Sequence, residues 1–384
     1  MESSADPIQF SRPYTGEEEA RAAADVVRSG WIVGGPELAA FEQEFAARCQ
    51  AAHAVGVSSW TTGAFLTLHA LGIGPGDEVL VPSYTFIASV NVITHCGATP
   101  VFVDIDAHTW NVDPGDMESK ISPRTKLLLP VDQVGLPCDM DAIEAIAGRH
   151  QLAVLDDAAC AIGSSNRGRP VGSLGPVTVF SLHARKLVTT GEGGMIVTDD
   201  AALAERLRRL RHQGMSLSDY QRHAMSPTTY ESYPEVGYNF RITDIQAAIG
   251  RVQLAKLDEI LARRRAIADH YLEYLRNHPL FEPPTVPEGI THNWQSFMVG
   301  VRDGSPLDRD AIMERLHERG IPTRRSVMAS HLEAPYSKLG VKLPNTERAF
   351  ARNFQLPMHP GLGAQQQARI IEALGDVTRE ALGA

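Results

Sequence analysis

From residue 14 to about residue 200, short apolar runs alternate with stretches whose apolar positions recur every three or four residues. That spacing predicts helices over 17–29 and 37–47, the second entered through the turn Gly34-Gly35-Pro36. A strand at 54–57 leads to a helix at 61–71. A turn at 72–76 leads to a strand at 78–81, and a helical 86–94 leads to a strand at 100–104. Strands at 126–131 and 153–155 flank a helix at 140–149, and strands at 177–181 and 195–198 enclose a loop. These strands are apolar on both faces and joined by helices, the pattern of a largely parallel sheet in an α/β sandwich.

The second half reads differently. One long helical pattern covers 243–276, with Arg263, Arg264 and Arg265 expected on a solvated face. The three prolines of FEPPTVPEG, 281–289, predict a linker. A strand at 295–301, a helix at 309–319, an irregular stretch at 330–343 and a final helix at 364–382 then suggest a small α+β domain. The expected division is a large domain over 1–250, carrying the loop at 181–194, and a connecting helix with a small C-terminal domain over 251–384.

Composition narrows the function classes. The chain has 384 residues, 43% hydrophobic and 21% charged, which excludes disorder and fibrous repeats. A net charge of −10 removes the general pull toward nucleic acid, so an anionic ligand must be met by a local cluster. Cys49, Cys96, Cys138 and Cys160 form no CxxC pair, and no histidines stand at zinc spacing, so neither a disulfide framework nor a metal is expected. The start, MESSADPIQF, lacks the basic and apolar segments of a secretory leader. No run reaches the ~18 apolar residues of a membrane span. These readings exclude a membrane partner and make the cytoplasm the expected location.

Three stretches carry candidate chemistry, each with a plainer alternative. QLAVLDDAAC is an apolar strand ending in Asp156 and Asp157, and ligands of open α/β sheets gather at such strand ends. A solvated acid or a helix cap is the alternative. Two carboxylates acting on one bond is a poorer fit, because adjacent side chains on a strand point to opposite faces. VFSLHARKLVTTGEGGMIVTDD, 179–200, carries Ser181, His183, Arg185 and Lys186 on a loop between two strands, beside a glycine-rich turn. The lysine is a nucleophile candidate there, although most lysines are solvated and His183 alone would be incidental. SSWTTG, 58–63, puts hydroxyls and free amides where a strand meets a helix, a phosphate-sized anion site or an ordinary cap by Ser59 or Thr61. Together they supply the three fixed points pyridoxal phosphate requires: a phosphate cradle, a buried acid for the pyridine nitrogen and a lysine for the aldehyde.

Four blocks in order resemble the DegT/DnrJ/StrS family of sugar aminotransferases, fold-type I pyridoxal-phosphate enzymes. They are RSGWIVGGPELAAFEQEFA (28–46), GIGPGDEVLVPSYTFIASVNVITHCGATPVFVDID (72–106), SLHARKLVTTGEGG (181–194) and GYNFRITDIQAAIGRVQLAKLDE (237–259). The resemblance implies that Lys186 bonds to the cofactor and moves the proton, while Asp157 pairs with the pyridine nitrogen. It implies that Phe86 stacks on the ring and that Thr61, Thr62 and Ser181 hold the phosphate. Asn239 matches a position that reaches the neighbouring subunit's cofactor, which implies a homodimer with shared sites. His331 and Tyr336 are the implied sugar contacts; His183 is a further substrate candidate, and Arg241 with Arg324 or Arg325 are candidates for the cation that the donor carboxylate needs.

The chain departs from the family pattern at three places. Cys160 stands where Gln or His often touches the cofactor's phenolic oxygen. Trp60 replaces a glycine, narrowing that turn or lending it a stacking surface. Asp132-Gln133-Val134-Gly135 replaces HLYG. The expected activity is transfer of an amino group from glutamate or glutamine to a keto-sugar, usually nucleotide-linked, for amino-sugar biosynthesis. The alternatives are a related sugar dehydratase or cyclitol aminotransferase, which keeps the cofactor, and a non-catalytic cofactor-binding regulator.

Overall fold

The computed structural model describes residues 7–217, 220, 222, 226, 228 and 230–383. Residues 1–6, part of the N-terminal stretch read above for a leader, lie outside them. Glu17–Ser29 (α1) forms over the residues its spacing predicts. Three acids in its first turn suit the positive end of the helix dipole, and Gly30 at φ 78° closes it in the left-handed region. Pro36–Cys49 (α2) begins on a proline. Its first amides are met from far along the chain, Gly35 and Leu38 donating to the Asp244 carboxylate at 2.7 and 3.0 Å.

The elements that follow are His53–Val57 (β1), Trp60–Ala70 (α3), Glu78–Pro82 (β2), Ala88–His95 (α4), Thr99–Val103 (β3), Pro114–Ser119 (α5), Thr125–Leu128 (β4), Met140–His150 (α6), Ala153–Val154 (β5) and Asp156–Asp157 (β6). A small hairpin, Ser165–Asn166 (β7) and Arg169–Pro170 (β8), precedes Val177–Ser181 (β9), Gly194–Thr198 (β10) and Ala201–Leu210 (α7). β3, β2, β4 and β5 pair in parallel in that order. Across the segment 153–157, β6, β9, β10 and β1 continue the sheet, with β10 antiparallel to both of its neighbours. The sheet is therefore mostly parallel. Phe41 and Phe45 of α2 with Ile143 of α6 pack on one face, and Leu66 of α3, Ile93 of α4 and Leu207 of α7 pack on the other.

Three expectations of the second half need correction. The pattern over 243–276 is two helices, Asp244–Ala255 (α8) and Leu257–Leu275 (α9), meeting at Lys256. The Lys256 ammonium is held there by Glu18 at 2.6 Å and Glu19 at 2.8 Å, while α8 packs on α1 and α2. Arg264 is buried rather than solvated. It shares a helix face with Ile260, Ile267 and Ala268, and its Nη1 donates to the carbonyls of Trp294 and Gln295 at 2.8 and 3.0 Å. The stretch 281–289 is not a free linker either, because it begins in one strand and runs directly into another. Phe281–Glu282 (β11), with Phe281 in the core, pairs with Phe297–Val301 (β13), and Ile290–Thr291 (β12) pairs with β7.

Arg309–Glu318 (α10), Arg324–Arg325 (β14), Pro344–Arg352 (α11), Asn353–Leu356 (β15) and Ala364–Leu382 (α12) complete the chain. β11, β13, β15 and β14 form an antiparallel sheet with α9, α10 and α12 packed against it, an α+β unit. The apolar cores divide within α9: Leu257 and Ile260 join the first, Ile267 and Tyr271 the second, which also receives Ile8. Among the described residues no helix is long and apolar enough to cross a membrane. β2, β4, β6 and β9 run in one direction, so the segments that follow them collect at one edge of the sheet.

Candidate active site

Asp157 ends β6 at that edge, 3% exposed. Its Oδ2 accepts from Ser89 Oγ at 2.6 Å, Ser89 in turn accepts from Thr85 at 2.9 Å, and Oδ1 accepts the Ala159 amide at 3.1 Å. Burial pushes Asp157 up to about 6, against the pull of these bonds and of the Lys186 charge. As the strand geometry requires, Asp156 points the other way, its Oδ2 accepting from Thr178 at 3.3 Å. Burial, with the charges of Asp132 and Asp157, drives Asp156 well above the carboxylate range. Asp132, beside them, is pushed up to about 7 by burial, with Asp157 adding repulsion. Asp132 Oδ2 and Asp156 Oδ1 are buried without a hydrogen-bond partner. Of the three acids, Asp157 is the one whose carboxylate is held by both oxygens.

Lys186 lies on the loop between β9 and β10, half-buried, and its Nζ donates to Cys160 Sγ at 3.0 Å. The loop folds back through Ala184 N–H to Gly191 O at 3.0 Å and Thr190 N–H to Leu182 O at 3.0 Å, with Gly191 at φ 84°. His183 is half-exposed. Its Nδ1 accepts the Arg185 amide at 3.2 Å and its Nε2 faces Glu192 at 3.7 Å, so it shapes the loop more directly than it meets a substrate. Ser181 ends β9 opposite Gly194. A Cβ on Gly194 would lie 2.6 Å from the Ser59 carbonyl carbon, and this close approach seats the start of α3 against the lysine loop.

At the N-terminus of α3, Ser59 Oγ accepts the Thr62 amide at 3.1 Å, and Thr62 Oγ1 accepts the Ser59 amide at 3.0 Å. The hydroxyl of Thr62 is thus taken up in capping. That leaves the amides of Trp60 and Thr61, which have no partner within the helix, and the half-buried Thr61 as the groups available to an anion at this helix start. Trp60 offers no stacking surface to a ligand. Its indole is 6% exposed in the core and donates to Val179 O at 3.1 Å. Phe86 does offer one: its ring is 65% exposed while Tyr84 and Thr85 beside it are buried. A buried acid, an exposed ring, a cradle of amides and a reachable lysine around one strand edge fit the demands of pyridoxal phosphate.

The remaining predicted residues divide. Asn239 is exposed. Arg241 Nη1 donates to His212 Nδ1 at 2.6 Å. His331 and Tyr336 are not presented to a ligand, which corrects the expectation for them. His331 is 3% exposed, its Nδ1 2.6 Å from Ser83 Oγ, and Tyr336 donates to Asn91 at 2.8 Å within the core. They brace the end of β2 and α4 from behind, His331 from the 3-10 segment Ser330–Leu332 and Tyr336 from just before the next, both rings set edge-on to Phe102.

Several residues at the edge carried no local signal. Asn293 Nδ2 donates to Cys160 O at 2.7 Å, and Gln295 Nε2 donates to Arg185 O at 3.1 Å. Phe10, Arg12, Arg185, Pro322 and Arg324 line a cleft of about 790 Å3, with the guanidiniums of Arg185 and Arg324 over the Phe10 ring at 5.5 and 5.3 Å. Ser89 and Arg185 lay within blocks already singled out and Arg324 was a candidate for the donor carboxylate, whereas Phe10, Arg12, Asn293 and Gln295 were not marked.

The chain as a whole has close counterparts among known proteins. The family model for DegT/DnrJ/EryC1/StrS aminotransferases matches residues 13–375. The aminotransferase TlmJ from Streptoalloteichus hindustanus is 34% identical, with a TM-score of 0.90 over 98% of this chain and 100% of its own. DesV from S. venezuelae, solved in complex with a ketimine intermediate, is 39% identical, with a TM-score of 0.85 over 94% of each chain. The PLP-form of the sugar aminotransferase Spr1654 from Streptococcus pneumoniae is 30% identical, with a TM-score of 0.91 over 98% of this chain and 99% of its own. The chain belongs to the DegT/DnrJ/EryC1/StrS aminotransferase family, enzymes that depend on pyridoxal phosphate.

Proposed function

We propose that the enzyme moves an amino group from glutamate or glutamine to a keto-sugar carried on a nucleotide, for amino-sugar biosynthesis. When bound, pyridoxal phosphate supplies the electron sink and carries the amino group between the two substrates. Lys186 Nζ would be the atom that holds the cofactor and, when free, would take and return the Cα proton. Asp157, buried and held by Ser89 and the Ala159 amide, keeps a negative charge against the pyridine nitrogen. Phe86 would cover one face of the ring, and the first turn of α3 with Ser181 would take the phosphate. The intact lysine disfavours the dehydratase reading, and the lysine, acid and cradle together disfavour a silent binder.

The observation that supports a phosphate-bearing acceptor is the cleft of Arg12, Arg185 and Arg324, which opens one residue from Lys186. In a chain with a net charge of −10, such a cluster is a local exception suited to a diphosphate or a donor carboxylate. Arg325 is poorly placed for either, since it lies over Phe350, 6.0 Å from the ring centroid. The homodimer is supported by the exposed Asn239 and by a groove of about 1080 Å3 between α1, α2 and α8, beside the exposed Val27, Ile32 and Val33. The four free cysteines suit a reducing cytoplasm.

The test is turnover with glutamate against a panel of nucleotide-linked 3- and 4-keto-sugars, followed by mass spectrometry of the amine product. Arg12→Ala and Arg324→Ala should each raise KM for a diphosphate-bearing acceptor about ten- to a hundredfold, the worth of a hydrogen bond to a charged group. Unchanged KM values, or equal turnover of the free keto-sugar, would remove the nucleotide from the proposal.

A further inference from the structure

Cys160 and Lys186 bring two nucleophiles into contact, Sγ to Nζ at 3.0 Å, and both residues are only half-buried, within reach of small solutes. The contact is clamped from behind by a single short segment. Asn293 Nδ2 donates to the carbonyls of Cys160 and Ile162 at 2.7 and 2.9 Å, fixing the turn that carries the thiol. Gln295 Nε2 donates to Arg185 O at 3.1 Å, fixing the backbone next to the lysine. The buried Arg264 donates to the carbonyls of Trp294 and Gln295, so the segment itself is tied to α9. Thiol and amine are therefore held together by the fold, and neither has to travel to meet the other. Cys49 and Cys138, by contrast, are sealed in the core.

We propose that Cys160 and Lys186 form a peroxide-responsive covalent lock on the cofactor lysine. The proposal rests on the reading of Lys186 given above. In the first step hydrogen peroxide oxidises the Cys160 sulfur by two electrons. One peroxide oxygen joins sulfur to give the sulfenic acid, and the other leaves as water with the thiol proton. In the second step the neutral Lys186 amine attacks that sulfur. The N–S bond forms, the S–O bond breaks, and hydroxide departs with an amine proton as a second water. The product is a sulfenamide lacking two hydrogens relative to the starting pair, with peroxide as the sole oxidant. A dithiol reverses it, returning thiol and amine.

The lock has two consequences. Lys186 cannot bond to the cofactor while its nitrogen is on sulfur, and Cys160 is kept from the irreversible sulfinic and sulfonic stages. It also has a built-in protector. When the lysine is bonded to the cofactor its lone pair is not available, so the cross-link is confined to forms in which Lys186 is free.

The experiment treats two forms of the full-length protein with hydrogen peroxide, one loaded with pyridoxal phosphate and one with pyridoxamine phosphate, then maps peptides without reduction. The expected result is a Cys160–Lys186 cross-linked peptide, lighter by two hydrogens, in the pyridoxamine form. It should be largely suppressed in the pyridoxal form and cleaved by dithiothreitol, after which added pyridoxal phosphate should again give the visible band. Cys160→Ser, compared with its own untreated sample, should form no cross-link and keep its ability to bind pyridoxal phosphate. Oxygen added to Cys160 without a link to Lys186, or equal loss of cofactor binding in wild type and Cys160→Ser, overturns the lock. The cross-link is read without catalysis. A missing visible band in untreated protein would instead count against the role given to Lys186, so the two failures are distinguishable.

Discussion

Asp132, Asp156 and Asp157 crowd three carboxyls into a dry region with one neighbouring ammonium, that of Lys186. They cannot all be ionised at little cost, and the bonding pattern leaves Asp157 as the anion. This has a pH signature. A folded-state value for Asp132 near 7, above the ordinary carboxylate value, means its protonated form favours the fold. That contribution is complete below about pH 4 and is lost as the pH rises through about 7. Asp132→Asn keeps an oxygen for the Cys138 amide and removes the titration. The variant should therefore gain on wild type by a few kcal/mol between about pH 4 and 7 and then hold that difference. Melting curves across that range test it, and a pH-independent difference would be the contrary result. At this scale the sequence singled out Lys186 and Asp157 because strand ends and glycine-rich turns leave a local pattern, and their roles rest on the proposal above. It misplaced His331 and Tyr336, whose burial depends on Phe102 and Asn91, more than two hundred residues away. It passed over Asn293 and Gln295 for the same reason.

Among the elements, the contact between β10 and the start of α3 does most to assemble the site. Gly194 lets the backbone of β10 approach Ser59 and Trp60 so closely that no side chain fits between them. Gly194→Ala should force the two apart, destabilising the protein by about 1–3 kcal/mol and weakening cofactor binding. Melting temperature and pyridoxal phosphate titration together check this, and wild-type behaviour in both would show that the approach is slack. Most elements were legible from periodicity, including α1 and α12 over their full lengths. α7 was missed because its buried Ala204, Leu207 and Leu210 are set among arginines, and α11 because only Thr346 and Ala349 are buried. The break at Lys256 left no mark in the apolar pattern. It follows from α8 and α9 serving different cores, which is a tertiary fact.

For the whole molecule, the large sheet was readable because buried parallel strands are apolar throughout, whereas the meeting of distant segments was not. The cleft joins residues near 10, 185 and 324, and the strap at 293–295 joins the small unit to the lysine loop. Assembly belongs to this scale too. If Asn239 serves the partner's cofactor phosphate, Asn239→Ala should weaken phosphate retention by about 1–3 kcal/mol in a protein that still elutes as a dimer. Light scattering and cofactor titration read the two parts separately. A monomeric wild-type protein, or unchanged cofactor affinity in the variant, would remove the shared-site claim.

The central claim, that Lys186 works with bound pyridoxal phosphate on an amino donor, is tested most directly by absorption spectra of the protein with that cofactor, before and after L-glutamate. A visible band from lysine-bound cofactor should give way to a near-ultraviolet pyridoxamine band, and Lys186→Ala should show no such visible band. Absence of the visible band in wild type, or its persistence in Lys186→Ala, would contradict the assignment of Lys186.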